Sequence, residues 1–156
     1  MIKKNVSVEK LLQKIKHYCA YQERSHYETR EKLYSFGLSK QAVESMLTQL
    51  ITEDFLNEER FACSFARGKM RIKHWGKVKI KYELKQRRVS DYNIKTALKQ
   101  LDESEYIAIL QKLVSQKWEA FKTEVAFARQ AKTVAYLLQK GFELPLVQAA
   151  IKNCGN

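Results

Sequence analysis

The chain has 156 residues and a net charge of +12, and it contains only one proline and five glycines. This length suffices for a domain with a substantial core, and the scarcity of helix breakers argues against a β-sandwich and for an all-α fold. No apolar run approaches the roughly 20 residues that span a bilayer, and the N-terminus has no hydrophobic signal core, so we expect a cytoplasmic protein with no membrane partner.

The cysteines, histidines and short motifs give no support for catalysis. The three cysteines form no CxxC pair, and the three histidines show no metal-ligand spacing with them. The sequence also has no P-loop, no GxSxG turn and no pair of carboxylates on an apolar face. We therefore predict that the protein is not an enzyme and has no catalytic residue, no cofactor and no metal site.

Three serines predict where the first three helices begin. Ser7 precedes an apolar pattern at helical spacing, Ser25 opens a capping box with Glu28, and Ser39 precedes the third helix. Gly37 closes the second helix, where a left-handed residue is needed. The inward positions predicted for the first and third helices are Val8, Leu11, Leu12, Ile15 and Cys19, then Val43, Met46, Leu47, Leu50 and Ile51.

A fourth helix is predicted to begin at Asn57 or Glu58 and to end before Gly76, which separates it from the next helix. Helical spacing places one apolar face on this segment. The predicted members of that face are Phe61, Ala62, Phe65, Ala66 and Ile72. Ser90 then caps a sixth helix.

Residues 67–88, hereafter the basic stretch, hold nine of the twelve net positive charges, because ten lysines and arginines stand against the single acid Glu83. One sign of charge in so short a segment indicates a surface that binds phosphates or an acidic protein, rather than a solubilising face. The residues predicted to contact a partner or nucleic acid are Arg67, Arg71, Lys73, Lys77, Lys81, Lys85, Arg87 and Arg88.

The centre of the basic stretch fits two kinds of secondary structure. Charged and apolar residues alternate over 77–85, which is typical of a half-buried strand. Wound as a helix, the segment has two apolar edges. These edges are Ile80 with Leu84 and Val78 with Tyr82.

In the helical form, Lys77, Lys81 and Lys85 follow one another at four-residue spacing. Pairs of like charge at this spacing destabilise a helix by about 0.2 to 0.5 kcal/mol each. A ladder of three lysines that is kept despite this cost indicates an anionic partner.

Three segments share one sequence frame: KLYSFGLSKQAVESML (32–47), ELKQRRVSDYNIKTAL (83–98) and YLLQKGFELPLVQAAI (136–151). The aligned residues Leu33, Leu84 and Leu137 lie 51 and 53 residues apart, which indicates an internal repeat. Because Leu33 lies in an unambiguous helix, its alignment with Leu84 favours the helix over the strand for residues 77–87.

We predict tandem three-helix repeats in three units, namely residues 1–55, 56–102 and 103–156. Each unit is too small to bury much surface alone, so the units should lean on one another in an elongated, curved stack. In the third unit we predict an extended second helix over 121–138, and Pro145 fits the first turn of the last helix.

At these motifs the chain resembles the RecX family, small bacterial regulators of the RecA recombinase. The middle unit carries the strongest match, in NEERFACSFARGKMRIKHWGKVKIKYELKQRRVSDYNIKTAL, residues 57–98. The closing LLQKGFELPLVQAAI is similar to the last repeat of the family. The resemblance covers nearly the whole chain, and the order of three units is more specific than any single motif.

The resemblance implies a protein without catalysis that binds the RecA filament on single-stranded DNA. It also implies that the protein suppresses ATP hydrolysis, strand exchange and coprotease activity of the filament, in DNA repair and the SOS response. A curved, basic stack of repeats suits a groove lined by protein and DNA backbone. For nucleic acid alone we expect weak, non-specific affinity, and we expect a monomer.

The chain departs from the family at Arg87-Arg88, where the family favours a Lys-Gly pair. A residue other than glycine must then occupy or avoid a left-handed conformation, at a cost of about 1 kcal/mol. This puts the conformation of the turn in question and leaves the fold prediction unchanged.

An alternative function is direct DNA binding by a helix-turn-helix protein, because three-helix units with a capped third helix also describe that class. Residues 39–51 or 90–101 would then enter a major groove. The first of these segments has too little positive charge to bind phosphates well. We therefore rank this function below binding to the filament.

Overall fold

The computed structural model describes residues 7–154, and within that range all regular secondary structure is helical. The nine helices there are α1 (Val8–Tyr21), α2 (His26–Ser35), α3 (Lys40–Thr52), α4 (Glu58–Arg71), α5 (Lys77–Gln86), α6 (Asp91–Lys99), α7 (Glu103–Ala120), α8 (Ala126–Gln139) and α9 (Leu144–Cys154). They confirm the predicted all-α fold of tandem three-helix repeats. In the basic stretch, α5 confirms the prediction of a helix rather than a strand. The residue limits of the three units remain predictions.

The helices begin where the capping residues predict. The hydroxyls of Ser7, Ser25 and Ser39 each accept a hydrogen bond from the backbone N–H three residues on, and Glu28 completes the capping box by accepting from the Ser25 N–H at 3.0 Å. The side chain of Asn57 accepts from the Arg60 N–H at 2.9 Å at the start of α4. All of these capping hydrogen bonds join residues three positions apart, so the local sequence favours the helix starts that are observed.

Packing divides the chain into two compact units. The first consists of Met1–Ser64 and Leu84–Thr96, and the second of Phe65–Glu83 and Ala97–Asn156. The divisions fall inside α4, α5 and α6, so these units do not coincide with the repeats in the sequence.

The core of the first unit comes mainly from the apolar stripes of α1, α2 and α3. Its largest cluster of buried residues is Leu11, Ile15, Cys19, Leu33, Leu38, Val43, Met46, Leu47, Leu50 and Leu56. Beyond this cluster, Leu84, Val89 and Ile94 are also buried. Cys19 keeps a free thiol, and burial raises its pKa. Buried apolar area of this kind is the main source of stability in each unit.

The second unit buries Met70 and Ile80 together with the inward faces of α7, α8 and α9. The residues buried on those three helices are Tyr106, Leu110, Leu113, Val114, Thr133, Leu137, Val147, Ala150 and Ile151. The rings of Tyr106 and Phe142 pack at 5.3 Å between centroids. The predicted helix over 121–138 was too long, because Phe121 caps the end of α7 and α8 starts only at Ala126.

Three apolar residues predicted to face inward are exposed, namely Val8 (60%), Ile51 (46%) and Ile72 (78%). Val8 is the first residue of α1, Ile51 lies in the last turn of α3, and Ile72 follows the last residue of α4. Fewer neighbours are available near a helix end to cover a side chain. Near the end of α4 the buried side chain is that of Met70 and not that of Ile72, although Met70 is not among the predicted members of the apolar face. The second apolar edge of α5 is exposed too, with Val78 at 55% and Tyr82 at 59%.

A left-handed residue follows the middle helix of each of the three repeats. Gly37, Arg88 and Gly141 occupy the same place in the three aligned segments, and their φ angles are 82°, 59° and 96°. Arg88 therefore occupies the left-handed conformation despite its side chain. The Val89 N–H donates to the carbonyl of Leu84 at 3.2 Å, which closes the turn as at a glycine-terminated helix.

We expect Arg88→Gly to have a free energy of unfolding about 1 kcal/mol higher than that of Arg88→Ala, because only glycine adopts φ of 59° without steric cost. Both variants remove the Arg88 guanidinium, which lies 4.4 Å from the centre of the Tyr27 ring, so the comparison isolates the backbone effect. Urea unfolding of the two variants measures the difference. Equal stabilities would show that the turn relaxes away from this conformation.

Candidate anion-binding surface

The two compact units divide the basic stretch, with residues 67–83 in the second unit and 84–88 in the first. The eight predicted contact residues differ in how much of their charge is already engaged within their own unit. That difference decides which of them can bind an external anion.

Two predicted contact residues on α4 already have partners in the second unit. The Arg67 guanidinium donates to the side-chain oxygen of Gln100 at 2.9 Å. The Arg71 guanidinium forms a bidentate ion pair with the Glu105 carboxylate, with N–O distances of 2.8 and 3.1 Å. These hydrogen bonds raise the pKa of Arg71. Both side chains remain at the surface, but Arg71 supplies less uncompensated charge than the sequence predicted.

Lys77 does not belong to an exposed ladder, which corrects the prediction from its spacing. Its side chain is only 23% exposed, its ammonium lies 2.9 Å from the Glu103 carboxylate, and the same ammonium stands 4.7 Å from the centre of the Tyr106 ring. The backbone N–H of Lys77 donates to the Tyr106 hydroxyl at 2.8 Å. Lys77 thus helps to hold the start of α5 in place.

The Tyr106 hydroxyl explains why Lys77 is so firmly held. This hydroxyl accepts from the Lys77 N–H and donates to the carboxylate of Glu143, so it joins α5 to the turn before α9 within the second unit. Burial, followed by the hydrogen bond to Glu143, raises the pKa of Tyr106, and the hydroxyl keeps its proton at neutral pH.

The remaining lysines of the predicted ladder are exposed. Lys81 has no ion pair within the described part of the second unit. In the first unit, the Lys85 side chain is 51% exposed, and its ammonium is 3.9 Å from the Asp91 carboxylate, a long and weak pair. Arg88 is also exposed and lies over Tyr27, whereas Arg87 is half-buried.

The turn between α4 and α5 is held directly against the turn between α8 and α9 in the second unit. The Gly76 N–H donates to the Lys140 carbonyl at 2.8 Å, and the Val78 N–H donates to the Gly141 carbonyl at 2.9 Å. A Cβ on Gly76 would lie 2.3 Å from the backbone of Gly141, so only glycine permits this approach.

This approach of the two turns gathers lysines that are far apart in the sequence. The Lys140 ammonium donates to the Lys73 carbonyl at 2.8 Å, and the backbone of Gly141 lies against Lys79. We call Lys73, Lys79 and Lys140 the lysine cluster. Burial, followed by the charges of Lys79 and Lys73, lowers the pKa of Lys140, as expected when like charges converge.

Trp75 contacts one lysine of this cluster and one lysine next to it. The ammonium groups of Lys79 and Lys69 lie 4.7 and 5.0 Å from the centre of the Trp75 ring, and Phe65 meets the ring edge-on at 6.4 Å. Such cation–π contacts hold flexible side chains in place.

Two members of the lysine cluster were missing from the predicted contact residues. Lys79 lies on α5 outside the predicted ladder of Lys77, Lys81 and Lys85, and Lys140 lies outside the basic stretch. The repeat frame contains a signal for Lys140, because it aligns with Arg87 immediately before the left-handed position. The tertiary contact at Gly76 could not be foreseen from that frame.

The described residues contain no group of three or more His, Cys, Asp or Glu side chains that could hold a metal ion. Within the same range, no helix is both long and apolar enough to cross a bilayer. Apart from Glu83, the charged side chains of the basic stretch are ammonium and guanidinium donors, which bind anions.

Two family models match the chain. One, described as the second three-helix domain of RecX, matches residues 57–98, and the other, the third three-helix domain of RecX, matches residues 103–151. Together they cover more than half of the chain.

Curated relatives with the same family name align over most of the chain. The protein named Regulatory protein RecX from Prosthecochloris aestuarii is 29% identical over 136 residues, which is 86% of each protein. The protein of that name from Leuconostoc mesenteroides is 26% identical over 150 residues, which is 96% of this chain and 56% of the relative. The chain thus spans little more than half the length of several relatives that it matches.

Solved structures share the fold. The crystal structure of RecX from Lactobacillus salivarius superposes with a TM-score of 0.86 at 23% identity, covering 94% of this chain and 95% of that one. A second crystal structure, of a regulatory protein RecX, gives 0.80 at 20% identity and covers 93% of this chain and 73% of that one. At these identities the likeness concerns the fold.

Proposed function

The chain belongs to the RecX family, and on that premise we propose that it inhibits the RecA recombinase by binding the RecA filament on single-stranded DNA. Inhibition would extend to ATP hydrolysis, strand exchange and coprotease activity. The observation that carries the proposal is the match to two consecutive RecX domains over residues 57–98 and 103–151. The names of the relatives support a regulatory role in the same way.

The charge of the surface supports an anionic partner such as this filament. The basic stretch keeps exposed charge on both compact units, through Lys73 and Lys81 on the second and Lys85 and Arg88 on the first. An excess of positive charge attracts a nucleoprotein filament and speeds association with it. In this proposal the eight predicted residues of the basic stretch contact the filament, and the exposed ones contribute most.

The proposal includes action without catalysis, as a monomer, in the cytoplasm where a recombinase meets chromosomal single strands. Inhibition would follow from occupying the filament, because a bound protein that favours one state of the filament shifts it away from the states needed for turnover. No reacting group on the chain is required for this mechanism.

Direct DNA binding by a helix-turn-helix is the competing proposal, and two helices would serve as recognition helices. The segment 39–51 largely coincides with α3, whose only basic residue is Lys40, and its Glu44 is paired with Arg30. The segment 90–101 contains α6, where the Asn93 side chain donates to Glu58 at 2.8 Å within the first unit. Side chains that read base edges are expected to be free for the bases, so these pairings favour the filament.

The test compares three binding partners for the fluorescently labelled chain: RecA filament assembled on oligothymidylate with a non-hydrolysable ATP analogue, the same oligothymidylate alone, and duplex DNA of mixed sequence. We expect binding to the filament to be at least about tenfold tighter than binding to either DNA, because protein and phosphate contacts add in the filament. Sequence-specific duplex binding with no preference for the filament would establish the competing proposal instead.

A further inference from the structure

We propose that the lysine cluster, Lys73, Lys79 and Lys140, is a binding site for phosphodiester groups in the backbone of a single strand. The ligand named here rests on the proposed function, which places the chain against single-stranded DNA. Three features of the cluster support the assignment: the backbone contacts that position it, its uncompensated charge and the chemistry of its ammonium groups.

Backbone contacts position the two turns that carry the site. The turns at Gly76 and Gly141 are joined by two backbone hydrogen bonds of 2.8 and 2.9 Å, and neither glycine has room for a Cβ. The Lys140 ammonium is tied to the Lys73 carbonyl, and the Lys79 ammonium rests over Trp75. A site whose donors are already positioned loses less conformational entropy on binding an anion.

Among the described residues, the positive charge of the site has no counter-ion. None of the ion pairs found within 7–154 involves Lys73, Lys79 or Lys140, whereas nearby Arg71 and Lys77 each have a carboxylate partner. Burial lowers the pKa of Lys140, and the nearby charges of Lys79 and Lys73 lower it further, in the direction expected for neighbouring like charges. An external anion between them would relieve that repulsion.

The chemistry of three ammonium groups favours phosphate over carboxylate. Ammonium groups are compact point charges that can approach a tetrahedral phosphate from several sides, whereas protein carboxylates are bound best by the planar fork of arginine. All three members of the cluster are lysines. The ammonium groups of Lys69 and Lys79 lie over the Trp75 ring, so the ring helps to place these two lysines. Ammonium groups contact backbone phosphates and do not read base edges. The site should therefore recognise backbone charge without base preference.

The experiment measures binding of the chain alone to labelled oligothymidylate at low salt, with no recombinase present. Its outcome is therefore separate from whether the chain inhibits RecA. We expect the double variant Lys79→Gln/Lys140→Gln to bind about tenfold more weakly than the parent. The slope of log K against log salt should also become shallower, by about 0.7 for each phosphate that the variant no longer neutralises.

The matched control is Lys112→Gln/Lys152→Gln, which removes the same charge from two exposed positions of the second unit. We expect this control to bind almost as well as the parent. Equal reductions in affinity for the two double variants would show that only net charge matters and would overturn the proposal.

Two further probes identify the ligand. An oligothymidylate with an uncharged methylphosphonate backbone should not bind, and polyglutamate should bind without sensitivity to the Lys79→Gln/Lys140→Gln change. Polyglutamate binding that weakens as much as oligothymidylate binding would assign the cluster to acidic protein surfaces and would overturn the phosphodiester assignment.

Lys140 also donates a structural hydrogen bond, so if the double variant melts, Lys73→Gln keeps the proposal testable. The Lys73 side chain is exposed and has no ion pair among the described residues, so this variant should keep the melting temperature of the parent. We expect it to bind oligothymidylate several-fold more weakly, with the shallower salt slope. A folded Lys73→Gln protein with full affinity would overturn the proposal.

Discussion

Replacing Gly76 by alanine is expected to lower the free energy of unfolding by about 3 to 5 kcal/mol, one of the two largest effects of a single change in this chain. The added Cβ would lie 2.3 Å from the carbonyl carbon and oxygen of Gly141 and 2.4 Å from the backbone nitrogen of Phe142. Backbone atoms cannot move aside as a side chain can, so the two turns must separate. The hydrogen bonds from Gly76 and Val78 then break as well.

Gly68→Ala provides a control of the same chemistry. Gly68 lies inside α4, and a Cβ there would meet nothing within 4 Å. Alanine is the better helix former, so we expect this variant to be up to about 1 kcal/mol more stable than the parent. Urea unfolding of both variants gives the comparison. A Gly76→Ala protein as stable as the parent would mean that the turns do not touch in solution.

Leu84→Ala is expected to lower the free energy of unfolding by about 2 to 5 kcal/mol, because it leaves a cavity at a fully buried position. Leu84 belongs to the first unit and is the middle member of the aligned leucines that define the repeat. The exposed Val78 on the same helix supplies the control, since Val78→Ala removes apolar atoms that already face water and should change stability by less than about 0.5 kcal/mol. Urea unfolding measures both changes, and similar values for Leu84→Ala and Val78→Ala would contradict the frame that aligns the repeats.

Features encoded by neighbouring residues could be predicted from the sequence. The capping serines at 7, 25 and 39 bond to amides three residues away, so their effect needs no tertiary structure. The repeat aligns Arg88 with Gly37 and Gly141, but the sequence left open whether Arg88 adopts their left-handed conformation, which the structure shows that it does. The alignment of the repeats also predicted correctly that the basic stretch contains a helix and not a strand.

Exposure at helix ends could not be predicted in this way. Helical period alone directs Ile72 inward, but the helix ends at Arg71, and the side chain is exposed. Val78 and Tyr82 form a convincing second apolar edge on α5, yet exposure depends on whether another element covers that edge. Periodicity gives the direction of a side chain and not the presence of a neighbour.

The predicted contact residues also depend on tertiary neighbours that the sequence pattern does not reveal. Charge density located the basic stretch, but it could not show that Glu103 and Glu105 engage Lys77 and Arg71. Nor could it bring Lys140 to Lys73, since that hydrogen bond spans 67 residues and depends on two glycines that carry no charge signal. Which charges are free is a property of tertiary structure.

The measurement that tests the central claim most directly is ATP hydrolysis by RecA on single-stranded DNA as the chain is titrated in. Inhibition of the recombinase predicts that hydrolysis falls to a plateau at chain concentrations well below those needed to bind the same DNA without RecA. Hydrolysis that stays unchanged until the chain covers naked DNA would contradict the claim, because the chain would then act only by competing for the strand.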